Sequence, residues 1–340
     1  MRKFINRPEQ YAQETMEGFL AVAGEGLAKL DDALAVYRTD MTTKVAVVSG
    51  GGSGHEPVWL EYIGLGFADA ICEGDIFAAP PPATIVKAVK AVEQGLGVLL
   101  VYSNYSGDKL NFDLAGERLA AAGIENRAVR IADDISSAPL AERSERRGIA
   151  GVVFPSKIAG AASEVIADLD LLTEVVQRAA DNTRSIAVAS GPGTVPGKDV
   201  PTFELPEGSM EIGMGNHGEA GVRRSEMLTA DETTEQMIEL LKEDRPLPAG
   251  SRVVVLVNGL GATTRAEILI ISRRVRQLLE QKGLEIHEFL TGEYTTSQEM
   301  HGFSITLFEL DDELQRYYDA PGRTTFFNNG HRAPASSGAA

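Results

Sequence analysis

The feature that most limits the fold is an alternation of apolar, β-branched runs with stretches of helical period. Residues 45–48 form such a run, and it ends in Ser49-Gly50-Gly51-Gly52-Ser53-Gly54-His55-Glu56-Pro57. A helix is expected over residues 83–92, where Ile85, Val86 and Val89 recur on one face. Residues 97–102 (GVLLVY) predict a second strand, and 110–122 a second helix closed by Gly123. Strands are expected at 128–131 and 150–154, and a helix at 171–180. A second series follows, with strands at 185–189, 211–214, 253–257 and 303–308 and helices at 233–241 and 263–281. Strands that alternate with helices bury apolar faces most simply as α/β layers. The expected fold is therefore two α/β domains, each a mainly parallel or mixed sheet flanked by helices. The boundary is placed at residues 181–183, giving domains over 1–183 and 184–332. The tail 333–340, rich in Ala, Ser and Gly, is expected to be disordered.

A chain of 340 residues exceeds one typical core, which agrees with two domains. It carries 32 basic and 49 acidic residues, a net charge of −17. Such a balance is unsuited to nucleic acid, which needs cations to neutralise its phosphates, and to anionic membranes. The lone cysteine, Cys72, excludes an internal disulfide and points to a reducing, cytoplasmic setting. It is read as a buried small hydrophobe. The N-terminus is basic but no apolar run follows, so no signal peptide is expected. No apolar stretch approaches the roughly 20 residues of a membrane span.

Three loops could carry chemistry. The glycine cluster follows a strand, where ligands of open α/β sheets bind. It lacks the Gly-Lys-Ser/Thr of a phosphate-binding P-loop. It is either a ligand loop or a tight turn with an incidental histidine, His55. Ser103-Asn104-Tyr105-Ser106-Gly107-Asp108 ends the second strand on the same rim. Asp108 could serve as a general base or as the N-cap of the next helix. Met214-Gly215-Asn216-His217-Gly218-Glu219 sets a histidine among small and polar residues. A neutral imidazole there is a nucleophile or base, or a loop residue bonded to backbone. His287 falls in an alternating segment, His301 fits a structural role and His331 lies in the tail. With no histidine or cysteine pair at metal-ligand spacing, no metal site is expected.

Several separated motifs together resemble the dihydroxyacetone-binding subunit family of dihydroxyacetone kinases. They are VVSGGGSGHEP (47–57), NYSGDKLNF (104–112), RRGIAGVVFPSKIAGAA (146–162), TFELPEGSMEIGMGNHGEAG (202–221) and GFSITLFELDDE (302–313). The resemblance implies that a small ketose is held as a covalent hemiaminal on His217, which excludes glycerol because it has no carbonyl. It implies that Asp108 is the base on the substrate hydroxyl and that His55 hydrogen-bonds the substrate. The backbone of Gly51, Gly52, Ser53 and Gly54 is then expected to line the pocket. Ser103 stands where the family segment often has lysine, and it is assigned to the substrate site. His301 and the segment 72–82 also depart from the family pattern. These departures point to a larger or more polar ketose such as erythrulose as the alternative to dihydroxyacetone. The resemblance further implies a homodimer and a phosphotransferase acting on an alcohol group. ATP or ADP with magnesium is expected on a separate helical nucleotide-binding subunit, not on this chain. Some relatives instead sense dihydroxyacetone as coactivators, and an isomerase built on the same covalent trap is a third reading.

Overall fold

The computed structural model describes residues 3–198 and 200–329. The expected disordered tail and His331 lie outside the described residues. Two mixed six-stranded sheets organise the chain. The first contains β1 (Leu27–Lys29), β2 (Ala35–Arg38), β3 (Ala46–Ser53), β4 (Ala70–Ile76), β5 (Val98–Ser103) and β6 (Asn126–Ile131), in the order β1-β2-β4-β3-β5-β6. Strands β4, β3, β5 and β6 are parallel, and β1 and β2 add an antiparallel edge. The second contains β7 (Thr183–Gly191), β8 (Ser209–Ile212), β9 (Arg223–Glu226), β10 (Arg252–Gly259), β11 (Glu285–Gly292) and β12 (His301–Leu310), in the order β11-β10-β12-β7-β8-β9. Only its β10–β11 pair is parallel. The helices are α1 (Tyr11–Ala23), α2 (Pro82–Val92), α3 (Ser106–Ala121), α4 (Val153–Ser163), α5 (Leu169–Asp181), α6 (Ala230–Asp244), α7 (Arg265–Gln281) and α8 (Asp312–Asp319).

Alternation along each strand divides the apolar side chains between two faces. One face of β5 sends Val98, Leu100 and Tyr102 against α2 and α3, through Ile85, Val89, Phe112 and Leu119. The opposite face, with Leu99 and Val101, shares one core with α4, α5, α8 and Val254, Leu256 and Phe308 of the second sheet. The outer face of the second sheet packs on α6 and α7. The chain is thus layered, with α4 and α5 between the sheets.

The expected strand at 150–154 is instead a 3-10 turn (Ala150–Val152) that runs into α4. Every residue of α4 is buried. A helix enclosed on all sides needs no amphipathic period, so its apolar run cannot be told from a buried strand. Helix α3 also starts at Ser106, four residues before the expected 110. Helices α1 and α8 and strands β1, β2, β4 and β9 lie outside the elements expected from the sequence, and β11 answers only to the alternating segment around His287.

A buried ion cluster fixes β3 to its neighbours. Asp69 accepts from Arg38 Nη1 (2.9 Å), from the backbone N of Val47 (2.9 Å), and pairs with Lys44 Nζ (3.0 Å). Burial pushes its carboxyl above the ordinary range while Lys44 and Arg38 pull the other way. Replacing Asp69 by alanine removes the one fully buried anion of the cluster and leaves Arg38 to Asp40 (3.0 Å) and Lys44 to Glu164 (2.7 Å) at its edge. We expect a loss of about 3–5 kcal/mol in urea unfolding. A loss below about 1 kcal/mol, the size of an exposed pair, would show that the cluster adds nothing to the fold.

Candidate active site

The site forms where strand order reverses. β3 is paired with β4 on one side and β5 on the other, and the chain passes through β4 before it returns to β5. The carboxyl ends of these strands leave a crevice there. Gly52 comes from the end of β3, with His55 just beyond it. Phe77, Ala78 and Ala79 follow β4, and Ser103, Tyr105 and Asp108 come from β5 and α3. The second sheet closes the crevice with Asn216 and His217, from the β8–β9 connection, and Thr295. Ile149 and Val152, ahead of α4, complete the wall.

The glycines are needed for close approach. A Cβ on Gly52 would lie 2.6 Å from the backbone N of Ala78. Gly54 has φ of +93° and leaves 2.8 Å between such a Cβ and Gln298 Nε2. Gly52 lines the pocket. Gly51 instead packs against the Trp59 indole, Ser53 is fully buried beneath the loop, and Gly54 turns toward Gln298. These three shape the loop from behind.

His55 and His217 meet across the pocket, with Nε2 to Nε2 at 3.0 Å. His55 Nδ1 lies 2.7 Å from the carbonyl oxygen of Thr296, so that nitrogen donates and Nε2 is left facing His217. The contact attracts when one proton lies between the two Nε2 atoms. His55 stacks on Phe77 with centroids 4.6 Å apart. Burial and the neighbouring His217 push its pKa down to about 3, so the ring is neutral at physiological pH. His217 is held by Glu219, which accepts from the His217 backbone N (2.9 Å) and faces Nδ1 at 3.3 Å. Tyr105 meets the His217 ring edge-on at 4.7 Å. Burial works against ionisation of Glu219, but the hydrogen bond and charge of His217 hold it down to about 2.

Asp108 sits in the first turn of α3, whose N-cap is Tyr105, and makes no capping bond. Its carboxyl is 8% exposed and Oδ1 has no hydrogen-bond partner among the described residues. Burial pushes it up to about 7, against the opposite pull of His217. A carboxyl that titrates near neutrality and faces a pocket is free to accept a proton.

Two other histidines lie outside this pocket. His287 Nε2 bonds Asp319 at 2.7 Å, and His301 Nδ1 bonds Ser190 Oγ at 2.5 Å. Cys72 is buried, which pushes its thiol up. Among the described residues no group of three or more His, Cys, Asp or Glu could hold a metal ion, and no helix is long and apolar enough to cross a membrane. The aromatic walls, Trp59, Phe77 and Tyr105, were not singled out by the sequence. Phe77 carries one signal, a φ of +58° unusual for a non-glycine residue, but only the structure displays it.

A Dak1 domain matches residues 17–326. The chain belongs to the Dak1 family. A relative from Listeria innocua, "PTS-dependent dihydroxyacetone kinase 2, dihydroxyacetone-binding subunit DhaK", is 41% identical over 96% of this chain and 99% of its own length. The "L-erythrulose kinase" of Pectobacterium atrosepticum is 40% identical over 98% of this chain, which spans only 57% of that protein. The dihydroxyacetone kinase from C. freundii, solved in complex with AMP-PNP and Mg2+, superposes with a TM-score of 0.87 at 31% identity, covering 100% of this chain and 64% of that one. The solved "Dihydroxyacetone kinase operon co-activator Dha-DhaQ" gives a TM-score of 0.85 at 29% identity, over 91% of this chain and 95% of that one. These matches establish the Dak1 fold, with both sheets inside the matched range.

Proposed function

We propose that this Dak1 chain is the ketose-binding subunit of a short-ketose kinase, and that it holds its substrate as a hemiaminal on His217. The observation that carries the reading is the convergence of His217, His55 and the buried carboxyl of Asp108 on one pocket. In the bonding step the imidazole N–H adds across the ketone. His217 Nε2 forms a bond to the carbonyl carbon, and the π pair moves to oxygen. The proton displaced from Nε2 reaches that oxygen through His55 Nε2, which stands 3.0 Å away. Glu219 holds the ring in attacking position. Glycerol has no carbonyl and cannot be trapped.

Asp108 then takes the proton of the terminal hydroxyl as that oxygen attacks the transferred phosphoryl group. Fixing the alcohol on His217 makes the encounter effectively intramolecular. The relatives' names supply the class of reaction, and the solved relative bound to AMP-PNP and Mg2+ supports a nucleotide donor. We assign the donor and its magnesium to a separate helical subunit, a reading supported by a relative named as a dihydroxyacetone-binding subunit. Ser103, Ala78 and Ala79 are small and leave room along the wall, so the pocket is assigned to dihydroxyacetone with a four-carbon ketose as the alternative. We also assign this chain to the cytoplasm and to a homodimer.

Asp108 separates this reading from a sensor. A sensor needs the histidine trap but no buried carboxyl beside it. Turnover should therefore appear when a family nucleotide subunit and ATP with magnesium are added to this chain and a ketose, and should be absent with glycerol. A chain that binds the ketose yet gives no phosphorylated product with that subunit and ATP would favour the sensor instead.

Glu219→Gln removes the anion behind His217. We expect ketose affinity to fall by about 10- to 100-fold, the size of one lost charge-assisted hydrogen bond. Calorimetric titration checks this, and an unchanged affinity would remove Glu219 from the positioning of the ring.

A further inference from the structure

A second cleft, of about 360 Å³, opens between the sheets on the far side of the Ser103–Asn104 wall. Five arginines line it: Arg130, Arg143, Arg146, Arg184 and Arg245. That is an unusual concentration in a chain of net charge −17. Four of them have a carboxylate of their own. Arg130 pairs with Asp113 (2.6 Å), Arg143 with Asp181 (2.6 Å), Arg146 with Asp244 (3.1 Å from Nη1), and Arg245 with Glu309. Arg184 has none among the described residues. It is 4% exposed, and its Nε has no hydrogen-bond partner there.

A guanidinium cannot shed its charge to escape burial, so one without an ion pair of its own calls for an anion or ordered water. Strand β7 forces it inward. Arg184 shares the Ile186 and Val188 face of β7, toward α6, and pairs in register with Leu307 of β12. Burial, and after it the neighbouring Arg245, pull the Arg184 pKa down to about 10, against the opposite pull of Glu309 and Asp244. The cleft has the size of a small-molecule site. The forked donors of arginine match the oxygens of a phosphate.

We propose that this cleft binds the phosphate group of a small phosphoester, with Arg184 as the buried anchor and Arg143 at the rim. The site is distinct from the ketose pocket but shares a wall with it. Asn104 Nδ2 donates to the carbonyl oxygens of Ser144 (2.8 Å) and Arg146 (2.7 Å) on the cleft side. The adjoining Ser103 and Gly148 line the ketose pocket. The inference rests on the unpaired cation and stands whether or not the chain traps a ketose.

The test is calorimetric titration and thermal denaturation at constant ionic strength with inorganic phosphate, glycerol 3-phosphate and ATP, against chloride. Wild-type chain, Arg184→Gln and Arg143→Ala are compared. We expect saturable binding of phosphate that chloride does not reproduce. It should weaken roughly 10- to 100-fold in Arg184→Gln, the loss of one charged donor. A weakening of roughly threefold or more is expected in Arg143→Ala, whose half-exposed side chain bears little on folding. Tighter binding of glycerol 3-phosphate than of ATP identifies a phosphomonoester, and the reverse identifies a nucleotide. Phosphate that acts no differently from chloride overturns the proposal, as does a full response in Arg184→Gln. If Arg184→Gln does not fold, an unchanged affinity in Arg143→Ala overturns it alone.

Discussion

Replacing His217 by alanine is expected to abolish retention of a short ketose and, with it, phosphoryl transfer. The His217 Nε2 meets Nε2 of His55 at 3.0 Å across the pocket. Without it no covalent bond can form, and a triose has too few atoms to bind tightly by contact alone. At a ceiling of about 1.5 kcal/mol per non-hydrogen atom, six atoms fall well short of that ceiling in a polar molecule that water solvates as well. The fold should be untouched, since His217 is partly exposed and lies in a turn closed by backbone bonds from Gly215 and Gly218. A circular dichroism spectrum like wild type with no detectable ketose binding is the predicted pair of results. Undiminished binding would remove His217 from the trap.

Asp108→Asn should separate binding from transfer. The amide cannot accept the hydroxyl proton, so transfer is expected to slow by roughly two to four orders of magnitude while adduct formation survives. In the wild-type protein the transfer rate should rise as Asp108 loses its proton, with a limb centred near pH 7, because burial pushes that carboxyl up to about 7. The limb should vanish in Asp108→Asn. Stability should shift the opposite way. A folded pKa raised above the usual carboxylate value means that the folded state holds the proton more tightly than the unfolded chain. That contribution is complete below about pH 4 and is lost as pH rises through about 7. Asp108→Asn, neutral throughout, should therefore melt higher than wild type at pH 8 and no higher at pH 4. Unchanged turnover, or a pH limb retained in the variant, would assign the base elsewhere.

The legible parts of the fold were those with a period. Helices α2, α5 and α7 show one apolar face, and strands β3, β5 and β10 each carry a short apolar run rich in valine. Helix α4 was misread because burial on all sides erases the period. Strand β4 was hidden for a different reason. Its Glu73 and Gly74 break an apolar run, yet Glu73 is completely buried, with both carboxyl oxygens lacking a partner among the described residues. A residue that reads as a surface acid thus occupies the interior, and burial, with the charge of Glu56, pushes its carboxyl well above its ordinary value.

The site divides similarly. His55, Asp108 and His217 stood out because glycine-rich or polar loops at strand ends rarely carry such groups without use. The sequence leaves Asp108 open between helix cap and base; in the structure Tyr105 holds the N-cap position without a side-chain capping bond, and Asp108 lines the pocket. Thr296, whose carbonyl fixes the His55 ring, carries no sequence signal, because the contact is made by backbone across 241 positions. Contacts of that kind are set by the layering of the two sheets, not by any local pattern.

The most direct test of the covalent ketose site is intact-protein mass spectrometry after incubation with dihydroxyacetone, erythrulose or glycerol, with rapid work-up and a parallel crystal soak. The account predicts a mass increase equal to the whole ketose, absent with glycerol and absent in His217→Ala, and continuous density from His217 Nε2 to the ketose carbon in the soak. A ketose seen in the pocket without a bond to Nε2, or a mass increase that survives in His217→Ala, would contradict it.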